Sequence, residues 1–227
     1  MATSVIFEEQ LEIPFVGSLD EFRAWVVSER FPRRGRIDYL GGCIEVDMSP
    51  EDLFCHGVLK TEIVGVLGRI AKQARSGYLF SDRARVSCPE ADLSVEPDVV
   101  FVSAEALASG RVRLVPKAGG GPDRFIELEG APDLIVEIVS DSSVTKDTHR
   151  LPAAYARAGV REFWRIDARG PRLSFEIARL GAAGYEAAPR DSEGFHVSDV
   201  FAVSFRLVRN RDEHGRWTFD LDVRTPG

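Results

Sequence analysis

Two acidic residues, Asp98 and Glu137, occupy positions in the sequence where apolar residues dominate. Glu137 lies inside residues 134–140, a run with five large aliphatic side chains, and Asp98 directly precedes the apolar run 99–102. Short runs of this kind, rich in β-branched residues, are typical of strands buried on both faces. An ionised carboxylate is costly to bury unless it is paired or binds a metal. The two acids therefore predict a site for a hard divalent cation, Mg²⁺ or Mn²⁺, on neighbouring strands.

Each acid also has a purely structural explanation. Asp98 follows a proline, and Asp in a Pro-Asp pair commonly caps a turn. Asp133 stands in a second Pro-Asp pair and is interpreted as such a turn residue, while Glu137 could form an ion pair with an arginine. Because Asp98 and Glu137 occur together, we favour the functional interpretation. A divalent cation held by two carboxylates can promote hydrolysis of a phosphodiester.

The overall charge limits the surfaces that this chain can offer to nucleic acid. The chain has 227 residues and a formal net charge of −7, with 44% hydrophobic residues. This balance argues against a generally basic surface. It is compatible with a local basic cleft, because a bound metal would neutralise part of the acid count. The candidate phosphate contacts are Arg33, Arg34, Arg36, Arg111 and Arg113.

The cysteines and the lengths of the apolar runs indicate the cellular compartment in which the protein is expected. Cys43, Cys55 and Cys88 form no CxxC pair, which is typical of reduced cysteines. The first residues lack the charged and apolar segments of a signal peptide. The apolar runs are shorter than the roughly 18 residues of a membrane span. We therefore expect a cytoplasmic protein with no membrane partner.

Hydrophobic periodicity and turn signals predict the elements that position these acids. A capping box at Ser18 begins a helix that ends near Arg30, and Gly41-Gly42 joins a β-hairpin. His56 lies on a long amphipathic helix over residues 52–75. Further elements are a helix at 151–158 and strands at 78–80, 84–87, 99–102, 134–140, 160–167, 173–179, 201–208 and 217–223. The fold class is α/β, with a mixed central sheet flanked by helices and a β-rich C-terminal region.

Three blocks of the sequence resemble the Uma family, a large bacterial family of restriction-endonuclease-like proteins in the PD-(D/E)XK nuclease superfamily. These blocks are residues 96–100, 131–140 and 155–167, and the hairpin at 38–42, Met48-Ser49-Pro50 and His56 are also similar. The resemblance covers about residues 15–180, within a single domain over 1–227 that ends in a β-rich extension over 181–227. It implies a restriction-endonuclease-like fold and metal-dependent cleavage of DNA.

The resemblance also implies roles for individual residues. It places Asp98 as the metal-binding aspartate and Glu137 as the second acid. In the superfamily pattern a lysine follows that acid at i+2, on the same face of the strand, but here that position holds Val139. The Uma family takes its basic residue from the following segment, which in this chain offers Lys146 and Arg150. The choice between these two is open.

Three further residues are weaker candidates. His56 could act as a general base or orient another group, although a histidine on such a helix more often packs. Asp38 is a candidate third acid. Glu62 is interpreted as a solvated helix residue.

Three functional hypotheses remain. The first is a Mg²⁺-dependent or Mn²⁺-dependent endonuclease whose partner is DNA; a homodimer would suit cleavage of both strands, by analogy. The second is a non-catalytic module that binds nucleic acid or another partner and keeps the nuclease fold, an alternative favoured by Val139 and the acidic pI. The third is an oligomerising scaffold. Metal binding through the two acids discriminates the first from the second.

Overall fold

The computed structural model describes residues 12–32 and 34–225. Its α-helices are α1 (Leu19–Val26), α2 (Leu59–Ala74), α3 (Ala104–Ala108) and α4 (Leu151–Ala158). Its strands are β1 (Arg36–Leu40), β2 (Cys43–Asp47), β3 (Gly77–Ser81), β4 (Arg85–Cys88), β5 (Leu93–Val95), β6 (Val99–Ser103), β7 (Val112–Pro116), β8 (Phe125–Gly130), β9 (Leu134–Ile138), β10 (Glu162–Asp167), β11 (Ser174–Gly181), β12 (Gly184–Ala187), β13 (His196–Ser198), β14 (Val203–Arg211) and β15 (Trp217–Arg224).

These strands form two six-stranded sheets and one three-stranded sheet. The strand order is β2-β1-β5-β4-β8-β7 in the first sheet, β12-β11-β10-β9-β6-β3 in the second and β13-β14-β15 in the third. Pairing is mixed, since β9 runs parallel to β10 and antiparallel to β6. The predicted α/β class, with a mixed sheet flanked by helices and a β-rich C-terminal region, is confirmed.

The second sheet brings the two acids together. All five residues of β9 are buried, as its apolar sequence predicted. Val99 lies opposite Val136, and Val100 lies opposite Ile135. Continuing this antiparallel register by one residue places Asp98 opposite Glu137. Directly opposed residues of antiparallel strands have Cβ atoms about 5 Å apart, so the two carboxylates belong to one site.

The alternation of side chains along β9 decides which layer Glu137 faces. Leu134, Val136 and Ile138 pack in the cluster that includes residues of α2 and of the C-terminal strands. Ile135 packs in the cluster that includes Tyr155 of α4. Since side chains repeat every two residues, Glu137 faces the α4 layer.

Local differences from the predicted elements affect the site. Helix α1 ends at Val26, earlier than the predicted Arg30. The long helix predicted over residues 52–75 is divided into a π-helical turn, Leu53–Val58, and α2. Asp52 caps this turn by accepting hydrogen bonds from the backbone N–H groups of Phe54 and Cys55. The turn therefore carries His56 ahead of the regular helix.

Two predictions about the chain as a whole can be compared with the structure. Cys43, Cys55 and Cys88 are free thiols. Among the helices of residues 12–32 and 34–225, none has the length and apolarity needed to cross a bilayer.

Candidate active site

Asp98 is a buried carboxylate surrounded by basic groups. Its Oδ2 accepts a hydrogen bond from the backbone N–H of Ile138, 2.8 Å away. Its Oδ1 lies 2.9 Å from Nη2 of Arg36, 3.3 Å from Nε2 of His56 and 3.6 Å from Nζ of Lys60. Burial raises the pKa of Asp98, but the hydrogen bond from His56 and the charges of Arg36 and Lys60 lower it below the ordinary value. Asp98 is therefore ionised at neutral pH.

Glu137 has the opposite electrostatic environment. It is 2% exposed, and its Oε1 accepts a hydrogen bond of 2.5 Å from the hydroxyl of Tyr155. Burial, with the neighbouring charges of Asp98 and Asp147, raises the pKa of Glu137 well above the ordinary value, although Arg36 and Tyr155 act in the other direction. Without an added cation, Glu137 therefore keeps its proton to higher pH than Asp98 does.

The charge balance around this pair fits a cation. Asp147 lies buried in the π-helical turn Lys146–Arg150. Burial, with a contribution from Asp98, raises the pKa of Asp147 to about 6, against the hydrogen bond from Ser143 and the charge of Lys146. The raised pKa values of Glu137 and Asp147 mean that the nearby positive charges do not fully offset the cost of burying these two carboxylates. A divalent cation held by Asp98 and Glu137 would replace the missing positive charge.

Lys146 approaches the site from the segment that follows β9. Its ammonium group bonds to Oδ2 of Asp38, on β1, whose Oδ1 accepts the backbone N–H of Glu96 at 2.9 Å. Burial lowers the pKa of Lys146, but the charges of Asp38 and Glu137 outweigh it and raise the pKa above the ordinary value. Lys146 is therefore a fixed positive charge held by Asp38, close enough to interact with Glu137.

A cleft of about 690 Å³ opens beside these groups. Its walls are the β1–β2 hairpin on one side and residues 141–146 on the other, and the two walls are joined by a 2.7 Å hydrogen bond from Ser142 to Asp47. Arg36, Lys146 and Arg150 line it. Arg36 pairs with the buried Asp98, so it connects the cleft to the two acids. Arg150 is more exposed and pairs with Glu45 on β2.

The other predicted phosphate contacts are placed differently. Arg34 is exposed next to β1, whereas Arg33 lies outside the described residues. Arg111 bonds to the backbone oxygen of Ala131 at 2.7 Å and to Asp133, and Arg113 bonds to Glu129. These two arginines flank or lie on β7, at an edge of the first sheet, and are not brought to the cleft.

Several residues near Asp98 were not predicted from the sequence. Lys60 is buried and lies 3.2 Å from both carboxylate oxygens of Glu51 and 2.6 Å from Asp82. His56 and Lys60 are four residues apart, so they share one side of a helical segment. The sequence signal that could have indicated a site near His56 was this spacing, together with the position of Lys60 beside the apolar residues Leu59 and Ile63. Glu62 differs from its predicted solvated position, because it accepts the backbone N–H of Leu221.

Known proteins share the fold of this chain, and a family model matches most of its sequence. The fold is similar to the crystal structure of a putative nuclease belonging to DUF820 from Anabaena variabilis, with a TM-score of 0.53 and 21% identity over 81% of this chain and 97% of that one. No curated protein matches the chain. The chain thus shares the α/β fold of that protein. The model of the Uma2 family, described as "Putative restriction endonuclease", matches residues 19–210. The chain belongs to this family, and the match extends past residue 180, where the recognised resemblance ended.

Proposed function

We propose that this protein is a metal-dependent endonuclease that hydrolyses phosphodiester bonds of DNA. The observation that carries the proposal is the buried pair formed by Asp98 and Glu137 on adjacent strands, beside a cleft lined by Arg36 and Lys146. Membership in the Uma2 family supports the same class of reaction. Mg²⁺ or Mn²⁺ is the expected cofactor, because both prefer carboxylate ligands.

Asp98 and Glu137 would hold the cation, which when bound would polarise the phosphoryl group and favour ionisation of the attacking water. Glu137 would bind the cation as a carboxylate, so cation binding would release the proton that its raised pKa favours. Lys146 cannot serve as a proton acceptor, since its raised pKa keeps it charged. Its ammonium instead stabilises negative charge that develops on the phosphate. Asp38 fixes the direction of that ammonium group.

The cleft indicates how a nucleic-acid backbone would approach. Arg36 and Arg150 line it together with Lys146, and a guanidinium group suits phosphate contacts. Arg150 is the outermost, so we assign to it binding of a neighbouring phosphate. His56, hydrogen-bonded to Asp98, is assigned to orienting that carboxylate. Arg34, which is exposed next to β1, is the remaining candidate contact. A homodimer would place two such sites on a duplex.

We also propose that the whole chain acts as one domain. The C-terminal strands pack in the same hydrophobic cluster as α2 and β9, through residues such as Phe205, Phe219 and Leu221. Glu162 of β10 supports this union, because it accepts hydrogen bonds from Ser198 at 2.7 Å and from the backbone N–H of Asp199 at 2.8 Å.

One observation favours a second candidate function, a nuclease-like module that binds nucleic acid without cutting it. Three basic groups already surround Oδ1 of Asp98, from Arg36, His56 and Lys60. In this alternative they neutralise the carboxylate permanently, and no metal is required. Metal binding separates the two functions.

The decisive experiment is to incubate the purified protein with supercoiled plasmid and with single-stranded DNA, in Mg²⁺, in Mn²⁺ and in EDTA. Asp98→Ala and Glu137→Ala should each abolish cleavage while keeping the circular dichroism spectrum of the wild type. A matched control is Glu105→Gln, which alters an exposed carboxylate on α3 that pairs with Arg111. Cleavage by both alanine variants at the wild-type rate would show that the site is misassigned. DNA binding without metal binding or cleavage would select the second function.

A further inference from the structure

The β14–β15 hairpin extends to the edge of the second sheet where the candidate site lies. Its Arg209 donates hydrogen bonds of 2.9, 3.0 and 2.7 Å to three backbone oxygens of residues 168–171, which follow β10. Arg169 of that segment pairs at 3.1 Å with Asp141, a residue of the cleft wall. β15 also contacts the π-helical turn Leu53–Val58. The hairpin therefore lies beside the cleft.

The alternation of side chains along the hairpin separates its charges onto two faces. Leu207 packs in the hydrophobic core, so Arg209 and Arg211 lie on the same inner face, two and four residues further along β14. Trp217 lies directly opposite Arg211 and shares this face. The carboxylates of β15 lie on the other, outer face: Asp220 and Asp222. The inner face thus carries basic groups past the end of the core.

Trp217 positions the two guanidinium groups. Cζ of Arg209 lies 4.2 Å and Cζ of Arg211 lies 3.6 Å from the centroid of its ring. A guanidinium stacked on an indole keeps N–H groups at its edge for other acceptors. Within residues 12–32 and 34–225, neither guanidinium forms an ion pair. Arg209 bonds to the backbone oxygens after β10, and Arg211 bonds to that of Gly215. Their positive charges are therefore not neutralised by a carboxylate.

The turn of the hairpin leaves this positive charge in place. Asp212 accepts the backbone N–H groups of His214 and Arg216 at 2.9 and 2.8 Å, so its carboxylate stabilises the turn. Glu213 is exposed and lies 3.5 Å from His214. Two further exposed arginines adjoin the stack in the sequence, Arg216 next to Trp217 and Arg172 after the segment bound by Arg209.

The outer face of the same sheet carries a similar stack whose charges are neutralised. Cζ of Arg206 lies 4.6 Å and Cζ of Arg224 lies 4.1 Å from the ring centroid of Phe195. Both arginines pair with carboxylates: Asp222 for the first, Asp191 and Glu193 for the second. A stack of arginines on an aromatic ring is therefore not by itself a binding site. The inner stack differs because its charges are free to meet an anion.

We infer that the inner face of the hairpin binds the phosphate backbone of DNA that extends beyond the cleft. The inference rests on the proposed function for the identity of the substrate. Arg211 is exposed and makes the contact, while Arg209 and Trp217 position it. A guanidinium donates two parallel hydrogen bonds to a phosphate. Because the chain has a net charge of −7, most of its surface repels DNA, and a local basic surface beside the cleft fixes where the flanking backbone lies.

The test is fluorescence anisotropy of a labelled DNA duplex with the full chain, at several salt concentrations in EDTA. Arg211→Gln should weaken binding by roughly tenfold, the scale of one charge-assisted hydrogen bond. It should also reduce the slope of log affinity against log salt concentration by about one. Arg211→Lys should keep that slope, because the charge remains, but bind more weakly than the wild type. The matched control is Arg224→Gln, which removes the same charge from the outer face and should bind like the wild type. Melting temperatures establish that each variant is folded.

The outcomes separate this inference from the proposed function. Unchanged affinity in Arg211→Gln would overturn the inference and leave metal-dependent cleavage through Asp98 and Glu137 intact. An equal loss in Arg211→Gln and Arg224→Gln would show a general effect of net charge, and would overturn it as well, as would a wild type that fails to bind the duplex even at low salt. If Arg211→Gln alone weakens binding but the wild type cuts DNA with neither Mg²⁺ nor Mn²⁺, the inference stands and the endonuclease proposal fails.

Discussion

Replacing Glu137 with glutamine should remove the electrostatic cost of burying this carboxylate and also its ability to bind a metal. Burial and the charges of Asp98 and Asp147 raise the pKa of Glu137 well above the ordinary value of 4.5. Between 4.5 and the raised pKa, the folded protein binds a proton at Glu137 that the unfolded chain has lost. In metal-free buffer, the free energy of unfolding therefore falls as the pH rises through this range. Glutamine does not titrate, so it removes this dependence.

The magnitude follows from the linkage between protonation and stability. Each pH unit inside the range costs about 1.4 kcal/mol. The Glu137→Gln variant should not lose this stability as the pH rises through the range. Glutamine keeps the side-chain shape, and its Oε1 can still accept the hydrogen bond from Tyr155 that the structure shows. We therefore expect the variant to be more stable than the wild type at neutral pH without metal.

The assay is urea denaturation at several pH values in EDTA, followed by melting curves with and without Mg²⁺. Asp147, whose pKa is raised to about 6, interacts with Glu137, so the difference between the two proteins reports on Glu137 together with its interaction with Asp147. Mg²⁺ should raise the melting temperature of the wild type and leave that of Glu137→Gln unchanged. Parallel pH profiles for the two proteins, or equal stabilisation by Mg²⁺, would refute the reasoning.

Further predictions concern the basic side chains of Lys146 and Arg150 and the packing of the C-terminal sheet. Lys146→Ala should lower the single-turnover cleavage rate by roughly 10²-fold with little change in metal affinity, whereas Arg150→Ala should mainly weaken DNA binding in fluorescence anisotropy and reduce its salt dependence. If only Arg150→Ala abolishes cleavage, the two roles are exchanged, and if both variants cut normally, the mechanism is wrong. Glu162→Leu should lower the free energy of unfolding by about 3 kcal/mol or more, because it leaves buried donors such as Trp164 and Ser198 unpaired, but the shift in melting temperature caused by Mg²⁺ should persist. An unchanged stability in urea denaturation would contradict that role for Glu162.

The fold was predictable where local signals agreed with burial. The predicted helix over residues 151–158 matches α4, since a proline opens it and Gly159, with φ of 83°, ends it. The apolar run around Glu137 is the buried strand β9. Strands β5 and β7 were not predicted, because pairing within the first sheet, rather than a strong local pattern, holds such short segments in place.

The candidate site was predictable only in part, for a similar reason. An acid within an apolar run is a local signal, so Asp98 and Glu137 could be recognised. The convergence of Arg36 and Lys60 on Asp98 depends on contacts between residues distant in the sequence. Asp147 belongs to a stretch of mostly polar residues after β9, but the π-helical turn buries it. Its raised pKa follows from that burial and not from its neighbours in the sequence.

Val139 shows why the missing strand lysine does not by itself argue against catalysis. Val139 is buried, and its backbone N–H bonds to Ile166 on β10 at 2.8 Å. A lysine there would place another ammonium in a region that already holds Arg36 and Lys146. Lys146 lies on a different segment, the π-helical turn after β9, but its ammonium group still interacts electrostatically with Glu137. The chemistry requires a positively charged side chain at a particular place in the structure, and here the segment after β9 can supply it. A sequence pattern that looks for this basic residue only on the strand would therefore miss a site in which it comes from another segment of the chain.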